Sequence, residues 1–109
     1  MPRYKAIVAY DGADFFGFQV QTKNGIERQR TVQGELNKAV NQMAKNPVPA
    51  IKVGGASRTD TGVHAFGQVV HFDLPFNIKV DGVRKGLNTL LPRDIIIKSV
   101  HEVASDFHA

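Results

Sequence analysis

Apolar residues recur along the chain with two different periods. Tyr4 to Tyr10 (YKAIVAY) is a run of β-formers and reads as a strand with both faces partly buried. From Thr31 to Lys45 the period changes. Val32, Leu36, Val40 and Met43 form one helical stripe, Thr31 suits the N-cap, and Glu35 lies in the first turn, where the helix dipole favours an acid. Asn46-Pro47 stops that helix. Ile51 and Val53 alternate within a short strand predicted over Ala50 to Ala56, and Gly67 to Leu74 reads as the next strand, closed by Pro75. Val80, Val83, Leu87, Leu90 and Leu91 share one face of a second helix that Pro92 terminates. The β-branched run Ile95 to Val103 predicts a last strand. Between Asp14 and Arg30 the pattern fails, and glycines, amides and basic residues suggest a long polar loop around Phe15, Phe16 and Phe18.

The resulting order, β-α-β-β-α-β, predicts an α+β fold of the ferredoxin-like, split β-α-β kind. Its antiparallel sheet carries two helices on one face, and the right-handed crossover preference leaves few other topologies. A length of 109 residues suits one domain with a real core. Such a fold hosts many unrelated functions, so activity has to be sought in particular residues.

Composition narrows the field only slightly. The chain has no cysteine, which excludes disulfides, thiolate metal sites and a cysteine nucleophile. No apolar run nears the roughly 18 residues of a membrane span, and the first residues lack the apolar core of a signal peptide, so a cytoplasmic protein without membrane contact is expected. The net charge of +4 leans toward a polyanion such as RNA or DNA.

The unusual segment joins the second and third strands of the pattern. Gly54 to Phe66 is far longer than a hairpin loop of about two to five residues. It gathers Ser57, Arg58, Thr59, Asp60, Thr61 and His64 between glycines. An Asp before Thr-Gly is most simply a turn residue bonding its own backbone. Its functional reading is a carboxylate, already ionised at neutral pH, that needs positioning rather than activation. Arg58 either orders the loop, holds Asp60 or binds a phosphate, or its guanidinium stacks on an exposed base. His64 and His71 are more simply structural hydrogen-bonding residues. No spacing of His, Asp and Glu suggests a metal site. Asp60-Thr61-Gly62 also matches the aspartic-protease signature, but that chemistry needs two aspartates sharing a proton in an all-β dimer, against two predicted helices here.

Several blocks together resemble one family. Arg58-Thr59-Asp60-Thr61-Gly62-Val63-His64-Ala65 followed by Gly67-Gln68-Val69 is similar to the catalytic motif of the TruA family of tRNA pseudouridine synthases. Tyr10-Asp11-Gly12 with Phe16-Gly17-Phe18-Gln19, Thr31-Val32-Gln33, Asn88 with Leu91-Pro92-Arg93-Asp94-Ile95, and Asp106-Phe107-His108-Ala109 resemble four further blocks of that family, in order along the chain. Ser57, Thr61 and Phe18 replace the family's usual Gly, Ala and Trp. The resemblance implies that residues 1–109 form the N-terminal half of a two-domain, homodimeric enzyme. That enzyme would convert uridine to pseudouridine in the tRNA anticodon stem-loop (tRNA positions 38–40), without metal or organic cofactor. Asp60 would be the catalytic carboxylate. Arg58, Thr59, His64, Gln19, Lys23, Arg28, Arg30, Arg84, Lys85 and Arg93 would bind RNA or support the site. The alternative is a non-catalytic ferredoxin-like RNA-binding module, which would need stacking aromatics on its central strands.

Overall fold

The computed structural model describes residues 2–14, 18, 22–23, 26–27, 31–55 and 65–109. A four-stranded antiparallel sheet is built from β1 (Arg3–Tyr10), β4 (Gly54–Gly55), β5 (Ala65–Asp73) and β6 (Ile95–Val103), in the order β4-β5-β1-β6. A small ladder, β2 (Thr22–Lys23) with β3 (Ile26–Glu27), lies inside the stretch expected to be a loop. The helices are α1 (Val32–Met43) and α2 (Val80–Leu90). Omitting the small ladder, this is the ferredoxin-like β-α-β-β-α-β arrangement with its split crossover.

Strict alternation along β1 puts Tyr4, Ala6, Val8 and Tyr10 on one face, where they are buried, and leaves Arg3, Lys5, Ile7 and Ala9 half-buried on the other. The buried face packs with Val32, Leu36, Ala39 and Val40 of α1 and with Val83 and Leu87 of α2 in a single core, so both helices cover the same side of the sheet. Tyr4 belongs to this core because its hydroxyl is satisfied: it donates to the Ile78 carbonyl at 2.8 Å and accepts from the Ile78 N–H at 3.0 Å. Thr31 caps α1 by accepting from the Gly34 N–H at 3.1 Å. Lys45 and Asn46, in the left-handed region at φ 64° and 52°, end the helix.

The strand predicted over Ala50 to Ala56 is the main correction to the expected elements. Among the described residues of that stretch, only Gly54–Gly55 pair with β5, through Gly54↔His71 and Gly55↔Val70. Upstream, the backbone is paired instead with amide side chains one helical turn apart on α1. Asn41 Nδ2 donates to the Ile51 carbonyl (2.8 Å) while its Oδ1 accepts from the Ile51 N–H (2.7 Å). Asn37 Oδ1 accepts from the Val53 N–H (2.8 Å), and Gln33 Nε2 donates to the Val53 carbonyl (2.6 Å). Alternation of Ile51 and Val53 is therefore real, but a helix takes the place of the neighbouring strand. Asn88 of α2 does the same for Ile97 of edge strand β6, with bonds of 3.0 and 2.8 Å. Beside that clamp, the β1–β6 register jumps from Ile7↔Ser99 to Val8↔Ile97.

A second irregularity re-aims a side chain. β1 and β5 pair regularly from Arg3↔Asp73 to Val8↔Gln68, and then Tyr10 pairs with Ala65. Phe66 and Gly67 thus stand together opposite Ala9, which makes a β-bulge. An unbroken ladder would pair Tyr10 with Phe66 and place the phenyl ring on the buried face. The bulge leaves Phe66 86% exposed. Burying such a ring is worth about 1.5–3 kcal/mol, so this geometry forgoes core energy at the point where β5 leaves the long segment 56–64.

Candidate functional site

Two glycines form the stem from which residues 56–64 depart. The Gly54 Cα lies under the ring of His71, its cross-strand partner on the open face, and a Cβ on Gly54 would collide with His71 Cε1. On the covered face, a Cβ on Gly55 would lie 2.5 Å from Phe18 Cε2. Phe18 is buried, packs its ring 6.4 Å from that of Tyr10, and accepts the Gln33 N–H on its carbonyl at 2.7 Å. An aromatic ring therefore closes on the stem from each side. Any larger residue at Gly54 or Gly55 would have to displace one of them.

Where the chain returns at Ala65, the sheet carries a groove of about 380 Å³, lined by Ala9, Tyr10, Asp11, Ala65, Phe66, Arg93, Asp94 and Ile96. Its wall is tied together by the Asp11 N–H, which donates to the Asp94 carbonyl at 2.9 Å, and by Asp11 Oδ1, which accepts from the Ala13 N–H at 3.0 Å. Phe66 and Ile96 stand exposed at it, and the Lys98 ammonium donates to the Phe66 carbonyl at 3.0 Å.

The residues expected at the site are distributed unevenly. Gln19, Arg28, Arg30, Arg58, Thr59, Asp60 and His64 lie outside the described residues, and Lys23 is described only as backbone in β2. Arg93 lines the groove. Arg84 and Lys85 sit apart from it on α2, where both bond the same carboxylate, Asp81, at 3.0 and 3.1 Å. Bonds from Lys85 and then Arg84 hold that carboxylate below its usual pKa. Their charge is partly engaged there.

Opposite the helices, residues 107–109 fold back onto the open face. Arg3 grips Asp73 with both forks (2.8 and 3.0 Å) and donates through Nη1 to the Phe107 carbonyl at 2.6 Å. That pair keeps the Asp73 carboxyl below its ordinary pKa. The Ala109 N–H donates to His71 Nδ1 at 3.1 Å, and the His71 ring meets Phe107 and His108 edge-on. Burial first, then the charges of Arg3 and His108, lower the His71 pKa, against Asp73, which raises it. A neutral ring is what this geometry requires, since a protonated Nδ1 could not accept. His71 is thus structural, as the sequence suggested. Phe66 and the amide ladder of α1 were missed. Only an aromatic next to a glycine within a strand hinted at the first, and the Gln33, Asn37, Asn41 spacing at the second.

Comparison with known proteins bears on what this surface serves. Residues 6–109 match the family model described as tRNA pseudouridine synthase. Over all 109 residues the chain is 81% identical to tRNA pseudouridine synthase A of Leuconostoc citreum and 75% identical to that of Leuconostoc mesenteroides subsp. mesenteroides. It is 57% identical over 107 residues to that of Lactiplantibacillus plantarum. The chain spans only 42%, 43% and 39% of the length of these three relatives. With its motif blocks, split β-α-β sheet and family match in agreement, the chain belongs to the tRNA pseudouridine synthase family.

Proposed function

We propose that residues 1–109 are the catalytic-carboxylate half of a two-domain, homodimeric cytoplasmic enzyme. It isomerises uridine to pseudouridine in the tRNA anticodon stem-loop, at tRNA positions 38–40. The observation that carries the reading is the unbroken block Arg58 to Ala65, with Asp60 at its centre, in a chain that belongs to this family. The stem clamped by His71 and Phe18, and the groove that begins at Ala65, support it: both flank the segment that holds Asp60.

In the proposed reaction the bond from uracil N1 to the ribose breaks and one from uracil C5 forms. The C5 proton is released and N1 gains one. Asp60, ionised at neutral pH, starts the reaction on the sugar. The target base has to leave its stack to reach it. Arg58 pairs with Asp60 and occupies the space the base vacates, while Arg93 and the basic residues of the Asp14 to Arg30 stretch contact phosphates and read RNA shape rather than sequence.

The test is tritium release from tRNA labelled at uracil C5, using the complete enzyme. Asp60→Asn should abolish release and leave tRNA binding within a few-fold of the parent. Substantial turnover by the variant would remove Asp60 from the chemistry. A parent that binds tRNA but releases no tritium would be the RNA-binding module instead.

A further inference from the structure

The structure assigns a role to a residue outside the carboxylate motif. We infer that Phe66 is a stacking platform for an unpaired nucleobase of the RNA, and that the groove beside it holds the attached ribose and phosphate. The inference rests on the function proposed above, but its evidence is separate.

Three observations converge. The β-bulge at Phe66-Gly67 turns the ring out of the core, to 86% exposure, where regular pairing would have buried it opposite Tyr10. The backbone beneath the ring is held: β5 is paired with β1 on either side of the bulge, and Lys98 donates to the Phe66 carbonyl at 3.0 Å. A ring with a fixed base can stack with little ordering to be done on binding. Finally, the surroundings suit one nucleotide. The groove of about 380 Å³ is at the small end of ligand pockets, with Ala9, Ala65 and Ile96 in its lining and the basic residue Arg93 among them. Of the two acidic residues of the lining, Asp11 accepts the Ala13 N–H on Oδ1, and Asp94 accepts the Asp11 N–H on its main-chain carbonyl. Stacking on an aromatic ring tolerates any base, which suits an enzyme that reads RNA by shape. An apolar protein segment is the competing occupant, and it would make Phe66 matter for stability.

The experiment measures binding of the complete enzyme to an unmodified tRNA transcript over a range of salt, together with its thermal unfolding. Phe66→Ala should weaken binding roughly 5- to 150-fold, the effect of removing one stacked base. The slope of log Kd against log salt should not change, because no phosphate contact is lost. Phe66→Trp should bind like the parent, and the melting temperatures of both variants should match it. Unchanged binding by Phe66→Ala would overturn the inference. So would a lowered melting temperature with intact binding, which would place the ring against another part of the protein. Failure of the underlying function would register separately, as turnover that survives Asp60→Asn.

Discussion

Phe66 and Phe72 are the same residue type, six positions apart on one strand, yet they meet opposite fates. Phe72 is 2% exposed, stacked on Tyr4 with ring centroids 6.0 Å apart. Phe66 is almost wholly in solvent. Parity alone would send both rings to the helix-covered face. The difference is the single extra residue of the bulge, which inverts the alternation for the first residues of β5. The two ends of the strand therefore answer to different physics. At the Phe72 end, closure of the core decides each residue. At the Phe66 end, the core is relinquished beside the segment that carries the family motif. The surface beside that segment is made by breaking a strand rule locally while the rest of the strand keeps it.

The largest expected effect lies on the covered side. Phe72→Ala would remove a ring buried in the core and stacked on Tyr4, and cost about 3–5 kcal/mol. Hydrogen exchange of the β1 amides in the complete enzyme reads this locally, as faster exchange from Tyr4 to Val8. Protection equal to the parent's would mean that the core does not depend on this ring, and the contrast with Phe66 would collapse.

The elements that carry this contrast were legible to very different degrees. Ile95–Val103 coincides with its predicted bounds, and β1, α1 and α2 deviate from theirs by one or two residues. In each, many consecutive residues report one period, so no single side chain can mislead. Residues 50–53 failed as a strand because pairing partners do not appear in a local pattern: the ladder for Ile51 and Val53 comes from Gln33, Asn37 and Asn41, which read simply as the polar face of a helix. The β5 bulge was equally hidden, since it depends on register with Ala9. The resemblance named Arg93 alongside Arg84 and Lys85, whose shared partner Asp81 only the structure reveals. Gly54 and Gly55 looked like turn residues, and their actual constraint is two rings brought from distant parts of the chain. The chemistry of Asp60 was legible only through its motif, and that residue lies outside the described part of the structure.

A smaller effect tests whether the amide ladder is a true substitute for a strand. Asn41→Ala would leave the Ile51 N–H and carbonyl without their partner, at a cost of about 1–3 kcal/mol for a half-buried pair of bonds. The Ile51 amide should lose protection while the Phe72 amide, inside the β1–β5 ladder, keeps its own. Equal loss at both would show that residues 50–55 and the main sheet open as one unit, which would extend the covered side further than the hydrogen bonds suggest.

The smallest effect belongs to the open side at the Phe72 end, where His71 faces Arg3, Asp73, Lys5, His108 and residues 107–109. Its pKa is lowered in the folded protein, chiefly by burial. As pH falls through the ordinary histidine value of about 6.5, the unfolded chain takes up the proton first. The stabilisation is complete above that value and drains away as pH approaches the lowered folded pKa. Protonation also removes the acceptor for the Ala109 N–H, so docking of residues 107–109 should weaken in the same window. The window is distinct from that of Asp73, whose Arg3-lowered pKa confines its own loss of stability to more acid conditions. An NMR titration of the His71 ring should give a midpoint below 6.5, with protection of the Ala109 amide, corrected for intrinsic exchange, falling alongside it. A midpoint at or above the ordinary value would mean that solvent reaches the ring freely. The open face would then contribute nothing here, and all stability of the strand would come from the side that holds Phe72.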